Sequence, residues 1–146
     1  MVLLLDMSLN YKLNHAKHNK EVCEFIKQNE QFNDWVVTTA FYSSIHFLEN
    51  FLFPNNYEDP SNSRKIRSFT DFDSYCKAFR RSREYFIDKH TIRLELVEEV
   101  FPEIADDYQT LMDTCFTARY KNYIVDPTTT QVCYQCLEEI ENLCAE

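Results

Sequence analysis

The chain has 146 residues, enough for one domain with a buried core, and 45% of them are hydrophobic. It contains no glycine, which argues against glycine-rich phosphate loops, dinucleotide-binding turns and tight primed hairpin turns, since each depends on backbone conformations that glycine adopts most easily. The net charge of −9 by itself disfavours nucleic-acid binding, because affinity for phosphate comes mainly from lysine and arginine.

The first residues of the chain do not have the pattern of a targeting signal. The apolar run at residues 2–5 is short, follows no basic residue and ends at Asp6, unlike the apolar region of a signal peptide. No stretch approaches the ~20 apolar residues that span a bilayer. We therefore predict a cytoplasmic protein without membrane contact, in which residues 1–9 are flexible.

Apolar residues recur at helical spacing through most of the sequence, which predicts an all-α fold. We expect an antiparallel bundle of five to six helices in a single domain, residues 1–146. The predicted helices cover approximately residues 10–29, 34–53, 71–86, 90–101 and 102–119, with a last one that opens on a capping box of Thr128 and Gln131. Residues 54–63 hold two prolines and almost no apolar side chains, and are predicted to be a loop.

The second predicted helix occupies the centre of the bundle. Asp34 is a suitable N-cap, and Pro54 follows the helix. Its apolar stripe consists of Val37, Phe41, Ile45, Leu48 and Leu52. In the last helix, the side chains predicted to face inward are those of Val132, Cys136, Leu137, Ile140, Leu143 and Cys144.

Six cysteines raise the question of a metal site or disulfides. Only Cys133 and Cys136 form a C-x-x-C pair, whereas a structural zinc site needs four ligands and usually two such pairs. Thiols in a reducing cytosol mostly act as small buried hydrophobic groups. We therefore predict that the cysteines serve packing, and that the protein uses neither a metal nor another cofactor.

Charge is distributed unevenly along the chain. Residues 64–93 carry nine basic and four acidic side chains, a net charge of +5, which leaves −14 for the remainder. Aromatic residues are interleaved with these basic ones, a composition suited to stacking on unpaired bases. This pattern predicts RNA contacts from Arg80, Arg81, Lys89 and Arg93. A solvated helix face, or a docking patch for an acidic partner, explains the same charges equally well.

Three separated segments together resemble the HEPN family. The second helix contains W-x(5)-F-Y-x(3)-H from Trp35 to His46, a later helix opens on His90 with Arg93 three residues on, and a third ends in Ala118-Arg119-Tyr120. The similarity extends from about residue 11 to residue 123. HEPN domains are small helical bundles, commonly dimers, and many are metal-independent endoribonucleases that act as toxins or in anti-phage defence. The resemblance thus implies a homodimer that cleaves RNA.

The HEPN resemblance also implies a catalytic pair. Ribonucleases of the family share an Arg-x(4–6)-His motif, which Arg83 and His90 match here. Neutral His90 would take the proton from a 2′-hydroxyl, and Arg83 would hold the phosphate. If one helix continues through both residues, their separation of seven positions places both side chains on one face.

A second interpretation assigns the same residues to structure. His90, Arg93, His46 and Arg119, supported by Tyr42 and Tyr120, can instead form a polar network that fixes helix register or a dimer seam. The chain would then be a non-catalytic HEPN-like module that dimerises and binds or regulates a partner protein or RNA, such as an enzyme or antitoxin from the same operon. The two interpretations differ in whether Arg83 and His90 meet in one cleft or are held apart by internal partners.

Overall fold

The computed structural model describes residues 11–62 and 65–144, which form a mostly helical fold, so the predicted fold class is confirmed at that level. The predicted flexibility of residues 1–9 concerns residues outside these ranges. The elements are α1 (Tyr11–Lys27), α2 (Asn33–Leu52), β1 (Asn55–Glu58), β2 (Ile66–Phe69), α3 (Phe72–Arg81), α4 (Lys89–Val100), α5 (Ala105–Tyr120) and α6 (Pro127–Cys144). A single 3₁₀ turn, Pro102–Ile104, joins α4 to α5.

Helix α2 lies at the centre, in contact with α1, α5 and α6. All five residues of its predicted apolar stripe are buried. The predicted N-cap is wrong, because the helix begins at Asn33 after Phe32, which makes no side-chain capping bond. Asp34 lies inside the first turn, where its carboxylate is favoured by the helix dipole and pairs with Arg119 on α5. This ion pair joins the start of α2 to the end of α5.

Residues 54–63 are not simply the predicted loop, because they contribute a strand. Strand β1 pairs antiparallel with β2, with Asn55 opposite Phe69 and Glu58 opposite Ile66. The sequence Asn-Asn-Tyr-Glu of β1 has no alternating apolar pattern, which is why the strand was not predicted. Phe69 is fully buried, and the Tyr57 hydroxyl donates to the carbonyl of Leu52, so the hairpin is attached to the end of α2.

Helix α3 ends at Arg81, five residues before the predicted end. The chain is not helical again until Lys89, where the Asp88 carboxylate caps α4 by accepting from the Thr91 backbone N–H at 3.0 Å. The helix predicted over residues 71–86 was therefore too long. Arg83 lies in the non-helical segment, whereas His90 lies in the first turn of α4.

Helix α6 is capped differently from the prediction. Asp126 accepts from the backbone N–H of Thr129 at 2.7 Å, and Pro127 occupies the first helical position. The predicted capping box of Thr128 and Gln131 is therefore wrong. The inward-facing set is also corrected at one position, since Val132 is exposed and Cys133 is buried in its place.

The helices and the hairpin share one core. Its largest fully buried side chains include Tyr108, Phe47, Phe69 and Phe72. All six cysteines are buried with free thiols, and burial raises the pKa of each thiol, as expected for cysteines that serve packing. Within residues 11–62 and 65–144, no helix combines the length and apolarity required to cross a membrane.

Glu30, just beyond the end of α1, has a φ of 61°. This left-handed conformation costs a residue with a Cβ atom about 1–2 kcal/mol, a cost that glycine avoids. We expect Glu30→Gly to raise the free energy of unfolding by about 0.5 kcal/mol, because relief of the strain exceeds the added entropy of the unfolded chain. Urea denaturation of both proteins measures this, and a less stable variant would contradict it.

Candidate functional site

A cleft of about 430 Å³ opens between α2, α4 and α5. It brings together four of the residues singled out from the sequence, His90, Arg119, Tyr42 and Tyr120, and we call it the His90 cleft. Phe41, Met112, Cys115 and Phe116 supply its apolar wall. The cleft therefore combines two phenols, an imidazole and a guanidinium with an apolar surface.

His90 is positioned by the first turn of α4 and by its packing partners. Its ring lies 5.0 Å, centroid to centroid, from the Phe41 ring in an edge arrangement. Burial, and then the nearby Arg93 charge, lower the pKa of His90, so the ring is neutral at neutral pH. Arg93 Nη1 lies 3.1 Å from His90 Nδ1. Because a guanidinium only donates, Nδ1 accepts and the ring proton is on Nε2.

Arg93 is the centre of a buried polar network. It is only 4% exposed, and its Nη1 also donates to the Tyr108 hydroxyl at 3.1 Å, while its Nη2 lies 3.8 Å from the Glu49 carboxylate. We call His90, Arg93, Tyr108 and Glu49 the Arg93 network. Burial raises the pKa of Glu49, and the Arg93 charge opposes that rise. An RNA contact by Arg93, as predicted, would require an exposure that this side chain lacks.

Arg119 is held at the other end of the His90 cleft. It pairs with Asp34, and its guanidinium lies 4.1 Å from the Trp35 ring centroid. Its Nε is buried and has no hydrogen-bond partner within the described ranges. The charge of Arg119 is therefore already balanced by a carboxylate, which reduces its attraction for a phosphate.

The other predicted members of the polar network divide between the cleft and a separate contact. Tyr42 and Tyr120 line the His90 cleft, and Tyr120 is 76% exposed. His46 makes no hydrogen bond to them; its ring stacks on that of His15 from α1, with centroids 3.8 Å apart. The predicted members are thus separated, because His90 bonds to Arg93, Arg119 pairs with Asp34 and His46 stacks on His15.

Arg83 lies in different surroundings from His90. Its guanidinium packs 4.5 Å from the Phe79 ring centroid and pairs with Glu95 at 3.5 Å, Nη2 to Oε2. It lines a separate cleft, between the hairpin, α3 and α4. The non-helical chain from Ser82 to Asp88 removes the shared helix face on which the predicted pair depended. The catalytic roles of both residues remain predictions.

Part of the basic segment is balanced by carboxylates. Arg67 pairs with Asp59, Lys89 with Asp73 and Arg83 with Glu95. Of the predicted RNA-binding residues, Arg81 is exposed, while Arg80 donates from Nε to the carbonyl of Ile87 and lies over the Phe86 ring. The net charge of +5 counted along the chain therefore does not translate into an equally positive face.

Neither the role of Tyr108 nor the pairing of Glu49 with Arg93 was predicted from the sequence, and Asp34 was predicted in a different role. Tyr108 is 15 positions from Arg93, and Asp34 is 85 positions from Arg119. A carboxylate or phenol at an otherwise apolar helix position was the available signal, because a buried polar group requires a partner. No group of three or more His, Cys, Asp or Glu residues in the described part of the chain has the arrangement of a metal site.

No protein-family model matches this chain, and no curated protein or solved structure is significantly similar to it. The HEPN resemblance therefore rests on the spaced residues Trp35 to His46, His90 to Arg93 and Ala118 to Tyr120 alone, and it stays a prediction.

Proposed function

We propose that this protein is a HEPN-like helical module that acts by binding and dimerisation and not by cleaving RNA. The observation that carries this proposal is the hydrogen bond from Arg93 to His90 Nδ1. It holds the neutral imidazole with its proton on Nε2, so Nε2 can donate a hydrogen bond but cannot accept a proton from a 2′-hydroxyl. The separate ion pair of Arg83 with Glu95 supports the same function.

Exposed aromatic side chains beside the His90 cleft suggest where the module binds. Trp35 and Tyr42 on α2 are exposed, as are Phe116 and Tyr120 on α5. We call these four residues the aromatic face. Aromatic and arginine side chains are enriched at protein interfaces, and a connected exposed group of them is unusual for a surface that meets only water. We propose that a second copy of the chain covers the aromatic face, as the HEPN resemblance implies.

We expect the purified protein to sediment as a dimer and Phe116→Glu to sediment as a monomer, because a buried carboxylate at the interface lacks a partner. Analytical ultracentrifugation over a range of concentrations measures this. Phe25→Glu is the matched control, since Phe25 is 76% exposed on α1, outside the aromatic face. A wild-type monomer, or equal dissociation of both variants, would reject the aromatic face as the interface.

A second candidate is the metal-independent endoribonuclease, with its site in the His90 cleft. One observation favours it: His90 lines the same cleft as Arg119 and two tyrosines with exposed rings. In this case the Arg93 to His90 hydrogen bond must open during the reaction, so that the imidazole can act as the base. Arg119 would then take the phosphate-holding role that the HEPN resemblance gave to Arg83.

RNA cleavage in excess EDTA separates the two functions. Under the binding function, wild-type protein leaves mixed single-stranded and transfer RNA intact. Under the ribonuclease function, His90→Ala and Arg119→Gln abolish cleavage while Arg83→Ala retains it. Loss of cleavage in both His90→Ala and Arg83→Ala would instead restore the pair predicted from the sequence, and would overturn the binding function.

A further inference from the structure

The cleft that contains Arg83 is acidic. It has a volume of about 700 Å³ and lies between the hairpin, α3 and α4. Five carboxylates line it, from Glu58, Asp59, Glu95, Glu98 and Glu99, against the single guanidinium of Arg83. We call it the acidic cleft. It shares no lining residue with the His90 cleft, so a ligand of the acidic cleft is independent of dimerisation through the aromatic face.

Only part of this negative charge is balanced within the chain. Asp59 accepts hydrogen bonds from Ser61 and pairs with Arg67 at 3.5 Å, and Glu95 pairs with Arg83. Glu58, Glu98 and Glu99 form no ion pair within the described ranges. Among the described residues, three carboxylates at this one cleft thus have no cationic partner.

The floor of the acidic cleft is aromatic. The rings of Tyr57 and Tyr75 are 5.7 Å apart in an edge arrangement, with Phe79 beside Tyr75. Tyr75 is only 6% exposed and lines the cleft, and no hydrogen bond joins its hydroxyl to another described residue. Burial and the Glu99 charge raise the pKa of Tyr75 to about 12, so this hydroxyl keeps its proton. A hydroxyl in a side chain that lines a cleft, without a bond to any described residue, can form a hydrogen bond with a bound molecule.

Within the chain, two arginines already contact both an aromatic ring and a carboxylate, the two kinds of group that line the acidic cleft. Arg83 lies over the Phe79 ring and pairs with Glu95, and Arg67 lies 4.7 Å from the Phe69 ring centroid and pairs with Asp59. In each example a guanidinium lies over an aromatic ring and also pairs with a carboxylate. Guanidinium suits this arrangement better than ammonium, because it is flat, weakly hydrated and carries several donors.

We propose that the acidic cleft binds the guanidinium of an arginine side chain from a partner polypeptide. Glu98 and Glu99 on α4 accept from the guanidinium, and the Tyr75 ring and hydroxyl form the inner end of the site. The cleft is open to solvent along the hairpin, so an arginine carried by a polypeptide can enter it. A free polyamine has the same sign of charge but lacks the planar guanidinium. The partner is therefore a basic segment of another protein.

A fluorescein-labelled pentapeptide with one central arginine among glycines tests the site by anisotropy. Matched peptides carry citrulline, which keeps the shape and loses the charge, or lysine. Spermidine is tested as a competitor. We expect the arginine peptide to saturate, the lysine peptide to bind several-fold more weakly and the citrulline peptide not to bind. Binding should weaken as the salt concentration is raised about tenfold from a low starting value, because the carboxylates are near the surface.

Variants locate the binding. Glu99→Gln and Glu98→Gln each keep the side-chain shape, and we expect each to weaken binding of the arginine peptide about threefold to tenfold. Tyr75→Phe removes only the hydroxyl and should weaken binding of the arginine peptide less than either glutamine variant does. Glu21→Gln, an exposed glutamate on α1, is the control. The proposal is overturned by equal binding of the citrulline peptide, by binding of spermidine alone, or by variants that match the control. Circular dichroism confirms that each variant is folded.

Discussion

Arg93→Met should lower the free energy of unfolding by about 3 kcal/mol, because it leaves the half-buried Glu49 carboxylate without its cation. The Tyr108 hydroxyl and His90 Nδ1 also lose their donor, although Tyr108 still donates to the His90 carbonyl at 3.1 Å. Methionine retains much of the volume of the arginine stem, so the loss measures polar contacts more than a cavity. Urea denaturation at pH 7 gives the value.

Two further variants test the cause of this loss. Arg81→Met removes an exposed arginine from the end of α3, and we expect it to change stability by less than about 0.5 kcal/mol. The double variant Arg93→Met with Glu49→Gln removes the uncompensated carboxylate, and should recover about 1 kcal/mol relative to Arg93→Met alone. A loss below about 1 kcal/mol in Arg93→Met would show that the Arg93 network contributes little to folding.

The Arg93 network also illustrates which contacts a sequence can predict. The spacing of three residues between His90 and Arg93 on one helix allows their side chains to meet, and the structure has this hydrogen bond. The partners Glu49 and Tyr108 lie on other helices, and nothing in their spacing relative to Arg93 indicates contact. Local pairs follow from helical geometry, whereas pairs between helices depend on packing that the sequence pattern does not specify.

The fold shows the same division. The apolar stripe of α2 was predictable because a buried helix repeats its apolar residues every three or four positions. Strand β1 was not, because its stability depends on pairing with β2 and on the burial of Phe69, 11 positions beyond Glu58. Two helix boundaries were wrong: Asp34 lies inside the first turn of α2, where it pairs with Arg119, and α3 ends at Arg81, before the separate cap of α4 at Asp88.

The predicted catalytic pair depended on one assumption about local structure. A continuous helix from Arg83 to His90 would have joined the two side chains, but Asp88 caps a new helix at Lys89. The charge count of residues 64–93 was correct, yet charge along a sequence does not include partners from other segments, such as Asp59 for Arg67. One cleft is lined by Tyr42, His90, Arg119 and Tyr120. Their spacing in the sequence did not predict how these side chains are arranged in space.

Stability should fall by about 1–2 kcal/mol between pH 7 and pH 4.5 on account of His46. Burial first, and then the neighbouring His15, Arg93 and Lys12, lower the pKa of His46 from its ordinary value of 6.5 to about 4. A histidine with a depressed pKa in the folded state stabilises the fold fully above about pH 6.5, and this contribution is lost as the pH falls towards about 4, because only the unfolded chain takes up the proton. The full shift corresponds to a larger energy, which partial exposure of the ring reduces.

The comparison that isolates His46 uses variants that cannot titrate in this range. His46→Gln should show a smaller fall in stability than the wild type; His90, whose pKa is also lowered, still contributes a fall, and Glu49, whose pKa is raised, contributes a rise. His18→Gln, at an exposed position on α1, should keep the dependence of the wild type. Because α1 meets α2 through the stacked rings of His15 and His46, the loss at low pH should begin at this contact, with earlier hydrogen exchange in α1 than in α5. Equal pH dependence in His46→Gln and the wild type would contradict this assignment.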